Sequence, residues 1–433
     1  MPKRSCSTWR RRSRGGGYPL AVSQEDLDLA RRHAPVVWFD EREPFSPLLV
    51  GYSVLRGSGP SPSFDGYLSF APEIGGVAGF TAGKRLEGVA AVIEYALWTD
   101  WDIQHLYELE HVWSYVSEDG RLLYAEASWH GGSGSLLQDG RLSMERERPV
   151  AYAQPGKHAM APDPGVFNAF DIRRRENARP AGPLAGKDGL LIGGPIAGRL
   201  EKTPRRDALA NGFLRRHAFE PSFRFTKRWD ALTVPWLTID RLLADIPSRL
   251  EGLLANLEAE RQQRNIWVVL FDLGDTLMVE ETEEKDATRT TQRADLFTGA
   301  AELLWELRRA GYLLGLVADT RPGTYRNVLR QHGIYNAFDV YAISEELGCE
   351  KPEPRMFTAI LERLGLRPEE AGHVAMVGNN LARDVRGANG TGMTSIWLRH
   401  NERYPITPAD PAEEPAHTAA SFEELRTLLK RLG

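Results

Sequence analysis

The feature that most constrains this chain is an apolar run, Val268-Val269-Leu270-Phe271, long enough for one buried strand, that ends abruptly in Asp272-Leu273-Gly274-Asp275-Thr276. A carboxylate at the C-terminal tip of a buried strand lies where open α/β sheets form their ligand crevice. There it can serve as a nucleophile, a metal ligand or both. Taken alone, the stretch also reads as a strand followed by a polar turn, because Gly-Asp is ordinary turn chemistry. The sequence that follows separates the two readings.

A helical segment, Gly299 to Ala310, is closed by Gly311 and followed by the strand Leu313 to Ala318, which again ends in an acid, Asp319-Thr320. A second helix, Thr324 to His332, stops at Gly333, a residue suited to the left-handed position after a helix. Then come a strand at Asp339 to Ile343, the pair Lys351-Pro352, and a helix with Met356, Phe357, Ile360, Leu361 and Leu364 on one face. The strand Val374 to Val377 leads into Gly378-Asn379-Asn380 with Asp384 beyond, and Ser395 to Leu398 forms a last strand. Strands alternating with amphipathic helices predict an α/β fold with a parallel sheet covered on both faces. The connectivity rule then collects the polar strand tips along one sheet edge.

This ordered set of motifs resembles the haloacid dehalogenase-like (HAD) hydrolase superfamily, from Ile266 onward. The resemblance implies a Rossmann-like α/β fold in which Asp272 attacks a phosphoryl group and is transiently phosphorylated. It implies that Lys351 neutralises the nucleophile and the phosphoryl oxygens, with Asp319 and Thr320 at the second strand tip. Mg²⁺ is expected on Asp272, the backbone carbonyl of Gly274, Asn379 and Asp384. The chemistry is coherent, since a carboxylate attacking an anionic phosphate needs a cation and an ammonium to cancel the repulsion.

Three positions depart from the family pattern. Gly274 stands where the phosphatases carry a second Asp as general acid and base. Ala318 replaces a hydroxyl residue, and Asn379 replaces an acid with a weaker, neutral oxygen ligand. Loss of general acid catalysis costs about a hundredfold to ten-thousandfold for leaving groups that need a proton. Acyl phosphates suffer less. The first expectation is therefore Mg-dependent hydrolysis of a phosphate ester or anhydride, on a small-molecule or macromolecular substrate. One alternative is a catalytically weakened HAD-like domain in a metal-binding regulatory or interaction protein. The other is a metal-independent dehalogenase, which needs neither the second Asp nor the metal. Leu277 leads almost directly towards the helix near Ala300, and neither that gap nor the one from Asp319 to Lys351 has room for a cap domain. The open site is expected to be covered by the N-terminal domain.

At 433 residues the chain exceeds the usual single-domain size. The expected division is a basic tail at 1–20, a β-rich domain at 21–236, a connecting helix at 237–264 and the α/β domain at 265–433. The helix follows from Ile239, Leu242, Leu243, Ile246, Leu250, Leu253, Leu254 and Leu257 at helical spacing. A formal charge of -5 argues against a nucleic-acid partner. The basic N-terminus lacks the apolar core of a signal peptide, and no run is long enough to span a bilayer. The two cysteines, Cys6 and Cys349, suit a reducing cytoplasm.

In the N-terminal part, Pro35 to Phe39, Val89 to Leu97, His111 to Val116 and Leu122 to Trp129 are short, rich in β-branched and aromatic residues, and separated by Gly, Pro and Ser. They predict a β-sandwich or similar fold. Within it, Asp100 to His111 concentrates acids and histidines, and Glu108 and Glu110 share a face of an extended strand. From spacing alone the segment reads first as a polar surface strand with solvated histidines. His105-x-x-Glu108-x-Glu110-His111 resembles the His-x-x-Asp-x-Glu-His pattern of necrosis-inducing-like proteins and the vacuolar-sorting-related β-sandwich family. That resemblance implies a second divalent cation on His105, Glu108 and Glu110, with Asp100 or Asp102 upstream. Glu108 is one methylene longer than the family Asp.

Overall fold

The computed structural model describes residues 23–57, 59–60, 63, 67–68, 87–130, 132–192, 197–401 and 403–433. The basic segment expected as a tail, 1–20, lies outside them.

The N-terminal strands used below are β1 (Val36–Phe39), β2 (Leu49–Leu55), β3 (Ala91–Trp101), β4 (His105–Val116), β5 (Leu122–Trp129), β6 (Gly132–Ser135), β7 (Arg148–Ala153), β8 (Lys227–Asp230) and β9 (Trp236–Thr238). A five-stranded sheet contains β7, β1 and β8, and a seven-stranded sheet runs β9-β2-β3-β4-β5-β6. Both are mixed: β1 pairs parallel with β7, and β9 pairs parallel with β2. β3 is apolar along nearly its whole length because it is covered twice. Ile93, Tyr95 and Leu97 pack towards Val37, Phe39 and Ala151 of the other sheet. Ala96 and Trp98 pack beneath helix α2 (Ile239–Gln262), through Ile239, Leu242 and Ile246. Gly51 of β2 permits this approach, since a Cβ there would lie 2.6 Å from Leu242 Cδ2. Between these elements, helix α1 (Pro204–Arg216) is capped by Thr203, whose hydroxyl accepts from the Arg206 amide at 3.2 Å.

The C-terminal domain is built on β10 (Val268–Phe271), β13 (Leu313–Ala318), β14 (Val340–Ile343), β15 (Val374–Gly378), β16 (Thr394–Leu398) and β17 (His417–Ala419). They form one six-stranded sheet in the order β14-β13-β10-β15-β16-β17. Every pairing is parallel. Alternate residues of β10 feed two cores. Val269 and Phe271 meet helices α3 (Ala300–Arg309), α4 (Pro322–Gln331) and α6 (Phe422–Leu432), whereas Val268 and Leu270 meet α5 (Pro354–Leu364). This double coverage explains why the strands read as continuous apolar runs. The Rossmann-like α/β sheet expected from the motif order is present.

Two features differ from expectation. Residues after Leu277 do not run directly to the helix. They form an antiparallel hairpin, β11 (Met278–Lys285) and β12 (Thr291–Leu296). Its polar, largely exposed strands carry no apolar periodicity, so the sequence does not announce them. Second, among the described residues none of the N-terminal domain lines the pocket at the strand tips. Its Arg215 donates to Asp339 at 2.6 Å, and Arg205 donates to Glu370 at 2.7 Å. The Arg261 guanidinium lies 3.6 Å from the Trp267 ring centroid. Asp339 and Trp267 immediately precede β14 and β10, and Glu370 lies four residues before β15, so this docking uses the sheet edge opposite the tips.

Glu370 concentrates that contact, accepting also from Arg261 at 2.9 Å and Arg367 at 3.2 Å. Burial opposes its ionisation, but the arginine bonds outweigh burial and hold its carboxyl at about 2, below the ordinary 4.5. Because the folded value lies below the unfolded one, this stabilisation is complete above about pH 4.5 and is lost as pH falls towards 2. Glu370→Gln is expected to cost about 1.5–3 kcal/mol at neutral pH. Denaturant titrations of both proteins check this, and the difference between them should close in acid.

Candidate active site

The tips of β10, β13 and β15 open into a pocket of about 600 Å³ whose described lining comes entirely from the C-terminal domain. Asp272 stands directly after β10 and is buried. Lys351 Nζ donates to Asp272 Oδ1 at 2.5 Å and to Asp384 Oδ1 at 2.7 Å. Thr276 Oγ1 donates to the other Asp272 oxygen at 3.1 Å. The sequence had given Thr276 no role.

Burial alone would lower the Lys351 ammonium, but Asp272, Asp384 and Asp319 outweigh it and hold its pKa well above the ordinary value. Burial pushes the Asp384 carboxyl up to about 6; Lys351 pulls it down and the Asp272 charge pushes it up. Two buried carboxylates thus share one ammonium, and the centre keeps a net demand for positive charge.

Asp319 also belongs to this cluster, as a positioning group. It accepts the Lys351 backbone N–H at 2.9 Å and an Arg383 bond at 3.0 Å, which fixes the loop carrying Lys351. Thr320 lines the same pocket. Asn379 lies directly after β15, buried, and its side-chain Nδ2 has no hydrogen-bond partner among the described residues. Asp384 Oδ2 accepts from the Asn380 amide at 3.0 Å. Gly378 makes room for Asp384, whose Cγ would lie 2.2 Å from a Cβ there.

The donor set fits Mg²⁺. Carboxylates at Asp272 and Asp384, an orphaned amide at Asn379 and the peptide carbonyl of Gly274 supply hard oxygen ligands on one wall. The side-chain amide of Asn379 can present either its oxygen or its nitrogen, because the two are alike in shape.

The hairpin forms the opposite wall, with Met278, Glu280, Glu283, Lys285 and Thr291 facing the pocket. Asp275, held in the left-handed region at φ 49°, joins the hairpin to the site. Its carboxylate accepts the Glu280 amide at 3.0 Å and Arg403 at 2.6 Å. Arg403 also pairs with Glu280 Oε2 at 2.8 Å.

In the N-terminal domain, Asp102, His105 and Glu108 bring ligand atoms within 4.8 Å of one another. In a regular strand, residues three apart face opposite ways. The left-handed Tyr107, at φ 61°, breaks the alternation between His105 and Glu108. Glu110, expected in this group, is not a member of the trio; it accepts from the Ser128 hydroxyl instead. Lys157, which the sequence left unassigned, places Nζ 2.7 Å from Asp102 Oδ2 and 3.4 Å from His105 Nε2. Lys157 lies some fifty residues away in sequence, so only the tertiary fold reveals it.

The family model described as haloacid dehalogenase-like hydrolase matches residues 217–392. A phosphoserine phosphatase of Thermus thermophilus is 38% identical over 137 residues, 32% of this chain and 52% of that protein. A glyceraldehyde 3-phosphate phosphatase of Methanopyrus kandleri is 34% identical over 130 residues, 30% of this chain and 54% of that protein. A solved HAD phosphatase from Thermococcus onnurineus is 23% identical, with a TM-score of 0.31, covering 38% of this chain and 98% of that one. The chain spans about half the length of the curated relatives it matches.

Proposed function

We propose that the chain, whose residues 217–392 match the haloacid dehalogenase-like hydrolase family, hydrolyses small phosphorylated molecules, with Asp272 as nucleophile. The observation that carries this reading is Lys351 Nζ bridging Asp272 and Asp384 at 2.5 and 2.7 Å on the strand tips. An ammonium held between two carboxylates is placed to accompany a phosphoryl dianion onto one of them. Phosphate monoesters are the favoured class, since the matched relatives are a phosphoserine phosphatase and glyceraldehyde 3-phosphate phosphatases.

In this mechanism an Asp272 oxygen attacks phosphorus in line with the leaving oxygen. Lys351, bonded to Asp272 and Asp384, offsets the charge that accumulates. Asp319 keeps the Lys351 loop in place while the ammonium shifts between carboxylate and phosphoryl oxygens. Water then hydrolyses the aspartyl phosphate and regenerates Asp272. Mg²⁺, when bound by Asp272, Gly274, Asn379 and Asp384, supplies Lewis-acid neutralisation of the phosphoryl charge.

Chelation is expected to abolish turnover of phosphate esters and added Mg²⁺ to restore it. A colorimetric phosphate assay with and without EDTA measures this. Full activity in EDTA, with turnover of haloacids and none of phosphates, would replace this reading with dehalogenation. The cysteine usage fits a cytoplasmic setting. Among the described residues no helix is long and apolar enough to cross a membrane.

A second divalent cation is proposed at Asp102, His105 and Glu108. One imidazole and two carboxylates are a suitable donor set, and the cation would enter by displacing Lys157 from Asp102. Binding should stabilise the protein by about 2.7 kcal/mol at a hundred times Kd. Melting curves with Ca²⁺, Mg²⁺, Mn²⁺ or Zn²⁺ test it on a protein whose Asp272 site is disabled. Unchanged melting with all four would leave Lys157 as the resident cation of the cluster.

A further inference from the structure

We propose that Glu280, on the hairpin wall of the pocket, is the general acid and base of the phosphatase reaction, taking the place left open at Gly274. The inference rests on the proposed hydrolysis at Asp272 and specifies how its proton transfers occur.

The hydrolysis of an alkyl phosphate needs a proton for the departing oxygen, and the buried pocket carboxylates are committed, while Glu345 and Glu350 are exposed and pair at 3.7 Å with Arg321 and Arg383. Asp272 and Asp384 hold Lys351. Asp319 holds the Lys351 amide and Arg383. Glu283 accepts from Thr291 at 2.5 Å and pairs with Lys285 at 2.7 Å. Among the described residues Glu280 is paired at one oxygen only, Oε2, which faces Arg403. Its other oxygen points at the backbone two residues after the nucleophile. A Cβ built on Gly274 would lie 2.1 Å from Glu280 Oε1 and 3.0 Å from its Cδ. A carboxylate therefore occupies the space in which a side chain at 274 would begin. Gly274 is the residue that lets it do so.

The support behind Glu280 is specific. Asp275 accepts the Glu280 amide, and Arg403 ties Asp275 and Glu280 together. The carboxylate thus enters from the hairpin with its backbone and one oxygen fixed, and Oε1 lies against Gly274, both residues lining the pocket.

An Asp272 oxygen forms a bond to phosphorus as the P–O bond of the ester breaks, and the departing oxygen takes the proton of the Glu280 carboxyl, leaving as an alcohol. Water next attacks phosphorus, giving a proton to the Glu280 carboxylate. The Asp272–phosphorus bond breaks, releasing inorganic phosphate and restoring both side chains.

The test compares one alkyl phosphate, phosphoserine, with one acyl phosphate, acetyl phosphate, whose leaving group needs little protonation. With Mg²⁺ present, Glu280→Gln should lower kcat for the alkyl phosphate by about 10²- to 10⁴-fold and for the acyl phosphate by less than tenfold. Gly274→Asp alone should also impair the alkyl reaction, because its Cβ collides with Glu280. The double variant Gly274→Asp, Glu280→Ala should recover alkyl turnover above either single variant by moving the carboxylate to position 274. Equal losses on both substrates, or no loss on either, would overturn the role of Glu280 while leaving the hydrolase reading intact. Wild-type protein that turns over neither substrate would overturn the hydrolase reading and this inference together.

Discussion

Asp272→Asn is expected to reduce turnover by about 10⁴-fold or more, as removal of a covalent nucleophile does, while the protein remains folded. The second half of this expectation comes from counting charges. In the native site two buried carboxylates share the Lys351 ammonium. Replacing one of them by a neutral amide leaves a balanced pair, Lys351 with Asp384, so the variant keeps a satisfied ammonium. Thermal melting and a phosphate assay on the same preparation check both halves. Loss of activity accompanied by unfolding would mean that Asp272 serves as a structural anchor.

Lys351→Ala should act in the opposite way on stability. The ammonium is almost fully buried, with 3% side-chain exposure, and its removal leaves Asp272 and Asp384 facing each other with no counter-charge. Deleting one partner of a buried pair costs about 3–5 kcal/mol, and here two acids are stranded. Turnover should vanish as well. Lys351→Arg keeps the charge but exchanges a compact ammonium for a planar fork. It should therefore regain much of the stability and little of the activity. Denaturant unfolding of the two variants separates the roles of charge and shape. Equal stability of Lys351→Ala and wild type would contradict the buried bridge.

Much of the C-terminal domain was legible because its strands are covered on both faces. Val268 to Phe271, Leu313 to Ala318 and Val374 to Gly378 are uniformly buried, and burial of that kind writes itself as apolar runs ending in polar tips. Asp272, Lys351, Asp384 and Asn379 lie where those tips converge. The hairpin was hidden for the converse reason. Glu280 to Lys285 and Thr291 to Asp295 carry alternating charge and threonine on half-exposed strands, which a single sequence cannot distinguish from a loop. Glu280 lies outside the motif it completes, and nothing but the built fold brings its carboxylate beside Gly274.

The N-terminal domain divides similarly. Its aromatic strands were legible, whereas its attachment was not. Arg205, Arg215 and Arg261 resemble solvated helix residues in sequence, yet they dock on Glu370 and Asp339 at the sheet edge away from the site. Among the described residues the domain does not reach the pocket, and sequence order does not tell which edge of a sheet a neighbouring domain will use. Likewise, strand alternation assigned Glu110 to a shared metal face, and the left-handed backbone at Tyr107 brought Asp102, His105 and Glu108 together instead.

The central claim is that phosphoryl transfer passes through Asp272. It is tested most directly by the stereochemistry at phosphorus, using a phosphate ester made chiral with oxygen isotopes and hydrolysed in isotopically labelled water. Each in-line displacement inverts the phosphorus centre. Attack by Asp272 followed by attack by water therefore predicts overall retention of configuration. Overall inversion would show a single direct attack by water and would contradict the account.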